Sequence, residues 1–288
     1  MLVPPMLLET SQYPFTHPDY IFEPKIDGHR LLLDRRDGVT QLYTRHRNNC
    51  TLQYPELYDL AVDDILLDGE VACVDRTTGR IDFECVMDRF QARRADKVLR
   101  LSATQPAHYV VFDILRYRGQ DLRGWPLLKR KELLTSIDFG NPRMNVVPYI
   151  EREGEQLFTE IVAHQLEGMV AKRKESVYSA GRRSASWQKI INWSYAEVAI
   201  SGWKKAEFGW LASVQEPGGQ DRHAGIIELG VAPAQKQAFY SVIEPFITGE
   251  DRDHVYVEPR IRAKVKMRNW TRKGLLRSPV FIKFLVDA

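Results

Sequence analysis

The sequence predicts a mixed α+β region followed by a small β-barrel, and three observations lead to this reading. Short apolar segments of strand character fill the first two thirds, helical patterns interrupt them, and near Trp193 the chain turns to closely spaced strand signals. In chain order the expected strands of the first region are Tyr20 to Phe22, Leu31 to Leu33, Ile65 to Leu67 and Val71 to Val74, then Tyr109 to Leu115 and Met169 to Ala171. Pro126 suits the first turn of a helix whose Leu127, Leu134 and Ile137 share a face, with Gly140 beyond its end. A second helix is expected from about Gln156 to Leu166, where Gly168 acts as a stop signal.

Past Trp193, Glu197 to Lys204, Gly209 to Gln215 and Ala224 to Val231 read as strands, the last two joined across Pro217-Gly218-Gly219-Gln220-Asp221. Pro233 opens a helix to about Phe246, and an extended stretch runs from His254 to Trp270. Strand, strand, strand, helix, strand is the plan of an OB-type barrel, a common nucleic-acid platform, although an SH3-like barrel shares the periodicity. The expected division is residues 1–193 and 194–288.

Composition narrows the function classes. No apolar run approaches the ~18 residues of a membrane span, and the N-terminus lacks the charged and apolar regions of a signal peptide. Three cysteines, Cys50, Cys73 and Cys85, with no C-x-x-C pair argue against a disulfide framework or a zinc knuckle. A cytoplasmic protein with no membrane partner is therefore expected. Residues 1–193 hold 27 Lys/Arg against 27 Asp/Glu, and residues 194–288 hold 14 against 11, so the whole +3 excess lies in the last third. Nine Lys/Arg and no carboxylate fall between positions 260 and 283. From Arg260 to Arg268, five cations alternate with Ile261, Ala263, Val265 and Met267, so a strand here would turn its cations to one side. Such a row matches a phosphate backbone, while a charged edge strand that blocks aggregation would have the same pattern.

No G-x-x-x-x-G-K-[ST] loop, G-x-G-x-x-G turn, H-E-x-x-H helix or G-x-S-x-G elbow is present. What stands out is Glu23-Pro24-Lys25-Ile26-Asp27-Gly28-His29-Arg30, between two expected strands. Alone, Asp27-Gly28 reads as a hairpin turn. Its company changes the weighing: Thr44-Arg45, then Asp68-Gly69-Glu70 between two apolar runs, Phe112-Asp113, Glu167-Gly168-Met169-Val170-Ala171-Lys172, and Trp187 flanked by Arg183 and Lys189.

This order and spacing resemble the covalent nucleotidyltransferase superfamily of ATP-dependent DNA ligases, whose motifs run K-x-D-G-x-R, S/T-R, D-G-E, F-D, E-G-x-V-x-K and a final lysine motif. The resemblance runs from about residue 20 to the C-terminus and is strongest to the compact ligase domain of bacterial end-joining ligases. It implies an adenylyltransferase domain of ATP-grasp-like antiparallel sheets with helices, followed by an OB-fold DNA-binding domain. A lysine must lose its proton to attack an α-phosphate, which a neighbouring cation and partial desolvation favour. The resemblance makes Lys25 that nucleophile, with Asp27, Glu70 and Lys189 as further catalytic residues. It places the backbone at Glu23 by the base edge, Phe112 against the adenine ring, Arg30 and Arg183 around the nucleotide, and Lys172 with Lys189 at the α-phosphate. Glu70 and Glu167 would hold Mg²⁺ or Mn²⁺, and Arg45 would grip the 5′-phosphate of the nick. Lys204, Lys205, Arg262, Lys264, Lys266 and Arg268 complete the expected DNA-binding set.

Two positions depart from the family pattern. Where a second lysine often follows in W-x-K-x-K, this chain has Ile191, and the terminal R-x-D-K element reads Leu285-Val286-Asp287-Ala288, with Lys283 the nearest substitute. The expected reaction is ATP-dependent sealing of nicked duplex DNA by a monomer, with no Ku-like or clamp partner identified. Rival readings are a GTP-using capping enzyme and a non-catalytic, ligase-derived nucleic-acid-binding protein. An NAD-dependent ligase would need an N-terminal module for which the segment before Lys25 is too short.

Overall fold

The computed structural model describes residues 3–285, which fall into two compact units divided between Asn192 and Trp193. Ala288, at the family's terminal lysine position, lies outside the described residues. No described helix is long and apolar enough to cross a membrane.

The first unit begins with strands β1 (Leu7–Thr10), β2 (His17–Pro24), β3 (His29–Arg36), β4 (Val39–Thr44) and β5 (Ile65–Cys73). Helices α1 (Phe83–Gln91) and α2 (Ala95–Thr104) follow, then β6 (Ala107–Tyr117), β7 (Gln120–Asp121) and α3 (Leu127–Thr135). The unit closes with β8 (Met144–Val146), β9 (Ile150–Arg152), α4 (Gly154–Ala163), β10 (Gly168–Arg173) and β11 (Arg183–Ile191). These strands build two sheets. One has the order β1-β11-β10-β2-β9, the other β4-β3-β5-β6-β7 with β8 parallel to β6.

Three apolar layers hold the unit together. Between the sheets lie Met6, Ile21, Leu32, Leu66, Leu115, Leu127, Tyr178 and Trp187. Phe22, Met169 and Ile190 face the other way, packing with Ile161 of α4. A larger cluster covers the far side of the second sheet, where Val86 of α1 joins Leu31, Leu33, Ile65 and Leu67.

Several expectations need correction. Asp68-Gly69-Glu70 is not a joint between two strands: β5 runs unbroken from Ile65 to Cys73. Buried between β3 and β6, this strand accommodates Asp68 because Arg30 and Tyr178 satisfy its carboxylate. Gly69 is required there, since a Cβ would come within 2.7 Å of the Tyr109 ring. Nor is Asp27-Gly28 a hairpin. Strands β2 and β3 belong to different sheets, so residues 25–28 form the crossover between them. Helices α1 and α2 were not among the expected elements; Asp82 caps α1 by accepting from the Cys85 N–H at 3.1 Å.

The second unit contains β12 (Ser194–Lys204), β13 (Trp210–Gln215), β14 (Asp221–Ile227), α5 (Pro233–Val242), β15 (Ile247–Glu250), β16 (His254–Val257), β17 (Arg262–Met267) and β18 (Val280–Leu285). The expected long extension from His254 to Trp270 is broken between β16 and β17 around Pro259, and the expected helix ends at Val242, with a 3₁₀ turn over Glu244–Phe246. Long β12 pairs with β13, β16 and β17, and β17 pairs with β18. Leu229, just past β14, bridges in parallel to Val280 of β18, so the sheet returns on itself around a core of Val198, Trp210, Phe239, Val265 and Phe281.

Candidate active site

A narrow cleft with a cavity volume of about 60 Å³ opens between the two sheets of the first unit. The crossover supplies Lys25 and Ile26, β2 supplies Glu23 and Pro24, and Arg30, Glu70 and Phe112 come from the second sheet. Val170, Lys172 and Trp187 form the opposite wall.

One end of the cleft is charged. Lys25 Nζ donates to Glu167 Oε2 at 2.7 Å, and the Lys25 N–H donates to the Gly168 carbonyl at 2.8 Å. The crossover is thus fastened to the start of β10 at both main chain and side chain. Gly28 lets the crossover lie against β5: a Cβ there would stand 2.1 Å from the Val71 carbonyl oxygen. Burial pushes the Glu70 carboxyl up to about 8; Glu167 and Asp68 add to the rise, while Lys25 and Arg30 oppose it. Arg30 grips Asp68 through two hydrogen bonds of 2.9 and 2.6 Å and lies 5.2 Å from the Phe112 ring centre.

The other end is aromatic and apolar, with Leu8, Phe112, Val147, Val170 and Trp187 on its walls. Lys172 reaches into it, 4.5 Å from the Phe112 ring centre and 4.2 Å from that of Trp187. Its ammonium meets Glu23 Oε2 at 2.6 Å. Lys172 pairs across from Trp187 and shares a sheet face with Val170 and Lys189. Burial pushes the Lys172 ammonium down to about 8, against the pull of Glu23, and Lys131 pushes the same way.

Lys189 lies on β11 directly across from Val170 and two residues beyond Trp187, so it shares their face of the sheet. Asp27 occupies the crossover, half-buried. Arg183 and Arg45 are not brought into the cleft. Arg183 is exposed at the start of β11 and donates to the Leu8 carbonyl, while Arg45 is exposed in the turn after β4. Ile191, in the second lysine position, is buried opposite Gly168.

Sequence reading missed Lys131. On α3 it falls at helical spacing between Leu127 and Leu134, a face expected to be apolar, and it is fully buried. It ion-pairs with Glu23. A lysine on an apolar helix face was the available signal. Asp113 turns away from Phe112 and forms a fully buried bidentate pair with Arg130, both bonds 2.8 Å, tying α3 to β6.

In the second unit, β17 sets Ala263, Val265 and Met267 inward, with Arg262, Lys264 and Lys266 on the outer side. Aromatic residues interleave with these cations: Lys264 lies 5.4 Å from the Tyr195 ring centre, Lys266 4.7 Å and Arg268 4.9 Å from that of Trp193. Neither aromatic was anticipated, although Tyr195 sits at an outward position of β12. Arg262 pairs with Glu197 at 2.6 Å. Lys204 is taken up by Glu207 and Glu228, and Lys205 by Glu250, which sets both apart from the outer row of β17.

Comparison with known proteins agrees with this geometry. A family model described as ATP dependent DNA ligase domain matches residues 5–190. The chain belongs to the ATP-dependent DNA ligase family. It is 37% identical over 285 residues to the SPbeta prophage-derived DNA ligase-like protein LigB of Bacillus subtilis, covering 98% of each chain. It is 31% identical over 281 residues to the multifunctional non-homologous end joining protein LigD of Mycobacterium bovis. That match covers 90% of this chain and only 35% of the longer relative. The solved structure of mycobacterial DNA ligase D complexed with ATP and MES superposes with a TM-score of 0.59 at 26% identity, covering 99% of this ligase and 96% of that chain.

Proposed function

We infer that this ligase seals nicks between a 5′-phosphate and a 3′-hydroxyl in duplex DNA, through a lysyl-adenylate on Lys25 and an adenylated DNA intermediate. The observation that carries this reading is the position of Lys25, fixed on the crossover at the charged end of a cleft whose other end is an aromatic slot. In this reading the base lies against Phe112, with the α-phosphate towards Lys25. Lys25 Nζ attacks the α-phosphorus, the bond to the bridging β-phosphate oxygen breaks, and pyrophosphate departs. Glu167, 2.7 Å from Nζ, is positioned to take the proton the amine loses. Lys189 neutralises charge that builds on the phosphate oxygens. A 5′-phosphate oxygen then attacks the AMP phosphorus and Lys25 leaves, regaining a proton. In the last step the 3′-hydroxyl attacks the 5′-phosphate and AMP is released.

Glu70 and Glu167 suit a hard divalent ion, because their mutual repulsion is among the causes that hold Glu70 high. They would hold Mg²⁺ or Mn²⁺, which would supply further neutralisation of phosphate charge. Among the described residues there is no group of three or more His, Cys, Asp or Glu able to hold a metal, so nucleotide and water oxygens would complete its shell.

The sheet of the second unit, returning on itself with α5 beside it, supports an OB-type barrel that binds DNA through the outer row of β17 with Trp193 and Tyr195. Arg45 remains the candidate for the nick 5′-phosphate. The deciding test is mass spectrometry after incubation with ATP and Mg²⁺, paired with a sealing assay on nicked duplex. One AMP adduct should appear, and Lys25→Ala should abolish it. An unmodified wild type that also fails to seal a pre-adenylated nick would overturn the reading.

A further inference from the structure

We propose that the first unit has its own hold on duplex DNA: a cationic stripe takes phosphates of the backbone and sets the nick over Lys25. The stripe runs from the turn after β4, with Arg45 and Arg47, to the start of α2, with Arg93, Arg94, Lys97 and Arg100. This rests on the reading of the chain as a nick-sealing enzyme and deepens it by naming a second DNA surface.

The charge is segregated locally, because residues 1–193 as a whole balance 27 cations with 27 carboxylates. No Asp or Glu falls between positions 38 and 55, and Asp96 is the one carboxylate between 91 and 105, against four Lys/Arg. All six cations are exposed. Arg94 holds Asp96 through bonds of 3.1 and 3.0 Å, which leaves the charge of Arg93, Lys97 and Arg100 uncancelled within that segment. Arg94, Lys97 and Arg100 line one open depression with Asp96, so their fields add over the same patch of solvent.

Folding brings the two segments together. The His29 ring lies 4.2 Å from that of Phe90, and the Arg93 guanidinium lies 5.5 Å from the Phe90 ring centre. His46, inside the turn, is near enough to His29 for its charge to act on that ring, and Arg93 acts in the same way on Cys50, just past the turn. Between them the 3₁₀ turn Thr51–Gln53 packs against β4 and against both α1 and α2. Thr44 makes the turn rigid: its Oγ1 accepts from the N–H groups of His46 and Asn48, both at 3.2 Å, and its carbonyl accepts from the Arg47 N–H at 2.8 Å. Arg47 has φ 65°, which glycine or asparagine adopts at less cost, so a cation is kept where the backbone disfavours it.

His29 opens β3 four residues after Lys25, so the stripe begins beside the crossover. For AMP transfer a 5′-phosphate oxygen must reach the phosphorus carried by Lys25. Phosphate contacts on the unit that bears this lysine fix the register of the duplex against it. A hold confined to the second unit would leave that register to the join at Asn192.

The test uses the full chain and compares R93A/K97A/R100A with R36A/K129A/R173A. The second set removes the same charge from exposed positions of the first unit outside the stripe, Arg36 being at the far end of β3 from His29. In anisotropy titrations of a nicked duplex, the stripe variant should bind at least tenfold more weakly and lose about 2–3 from its salt slope, at about 0.9 per phosphate contact. The second set should change affinity less than threefold. Half-maximal sealing of a pre-adenylated nick should need at least tenfold more of the stripe variant, while its adduct formation from ATP stays within twofold of wild type. Should the alanine variant not fold, R93Q/K97Q/R100Q carries the same expectation. An unaltered slope, or equal changes in the two sets, would overturn the proposal. Wild type that neither takes up AMP nor seals would instead sink the reading beneath it.

Discussion

His29 shows how a single side chain records the burial of the crossover. It opens β3 four residues after Lys25, with its ring 4.2 Å from that of Phe90 and its Nδ1 without a hydrogen-bond partner. Burial pushes its pKa down to about 4, and His46 adds to the shift. The folded state therefore keeps this imidazole neutral until about pH 4, whereas the unfolded chain takes a proton near 6.5. Between those values the unfolded state binds more protons, so this contribution to stability is present above pH 6.5 and is lost as the pH falls through the window. His29→Phe removes the titration and keeps a ring for Phe90. The wild-type unfolding midpoint should fall more steeply between pH 6.5 and 4.5 than that of the variant, as followed by circular dichroism; parallel slopes would contradict the neutral, buried imidazole. A second residue-scale prediction concerns Asp113 and Arg130. Removing one partner of a fully buried pair leaves an uncompensated charge, so Arg130→Met should destabilise the first unit by about 3–5 kcal/mol in urea unfolding.

At the level of elements, β17 was legible because one of its faces packs into a core: Ala263, Val265 and Met267 impose period two on the cations between them. The cleft was legible for a different reason. Its chemistry needs particular residue types at fixed places, so Lys25, Glu70, Phe112, Glu167 and Lys172 stood out before any fold was known. What stayed hidden depends on pairing across the chain. Asp68 reads as a turn residue until Arg30 and Tyr178 are seen to close over it, and Lys131 reads as solvated until Glu23 is found beneath α3. The outer face of β17 carries its own prediction. Replacing Arg262, Lys264 and Lys266 together by alanine should weaken nicked-duplex binding and reduce its salt slope by about 2–3, since each phosphate contact contributes about 0.9. The lower figure applies if Arg262 stays paired with Glu197. Anisotropy titrations at several salt concentrations measure the slope, and adduct formation from ATP should persist. An unaltered slope would remove this row from the DNA surface.

On the scale of the whole molecule, the two units divide the chemistry as they divide the core. Every residue lining the cleft belongs to Met1–Asn192, whose apolar layers draw on that unit alone. The second unit packs around its own centre, with Trp210 against Phe239, Phe281 and Phe284. A chain cut after Asn192 therefore retains every residue that lines the cleft and loses the cationic row with Trp193 and Tyr195. It should fold cooperatively and bind ATP within about threefold of the full chain, because a difference of less than 1 kcal/mol is what an untouched site predicts. Its affinity for nicked duplex should fall at least tenfold, the loss expected when Lys264, Lys266 and Arg268 are removed together. Calorimetric titration with ATP and anisotropy with a labelled nick separate these outcomes. A fragment that folds but has lost ATP binding would show that the second unit contributes to the nucleotide site. Retained DNA affinity would instead place the main DNA contacts on the first unit, where Arg45 is the leading candidate.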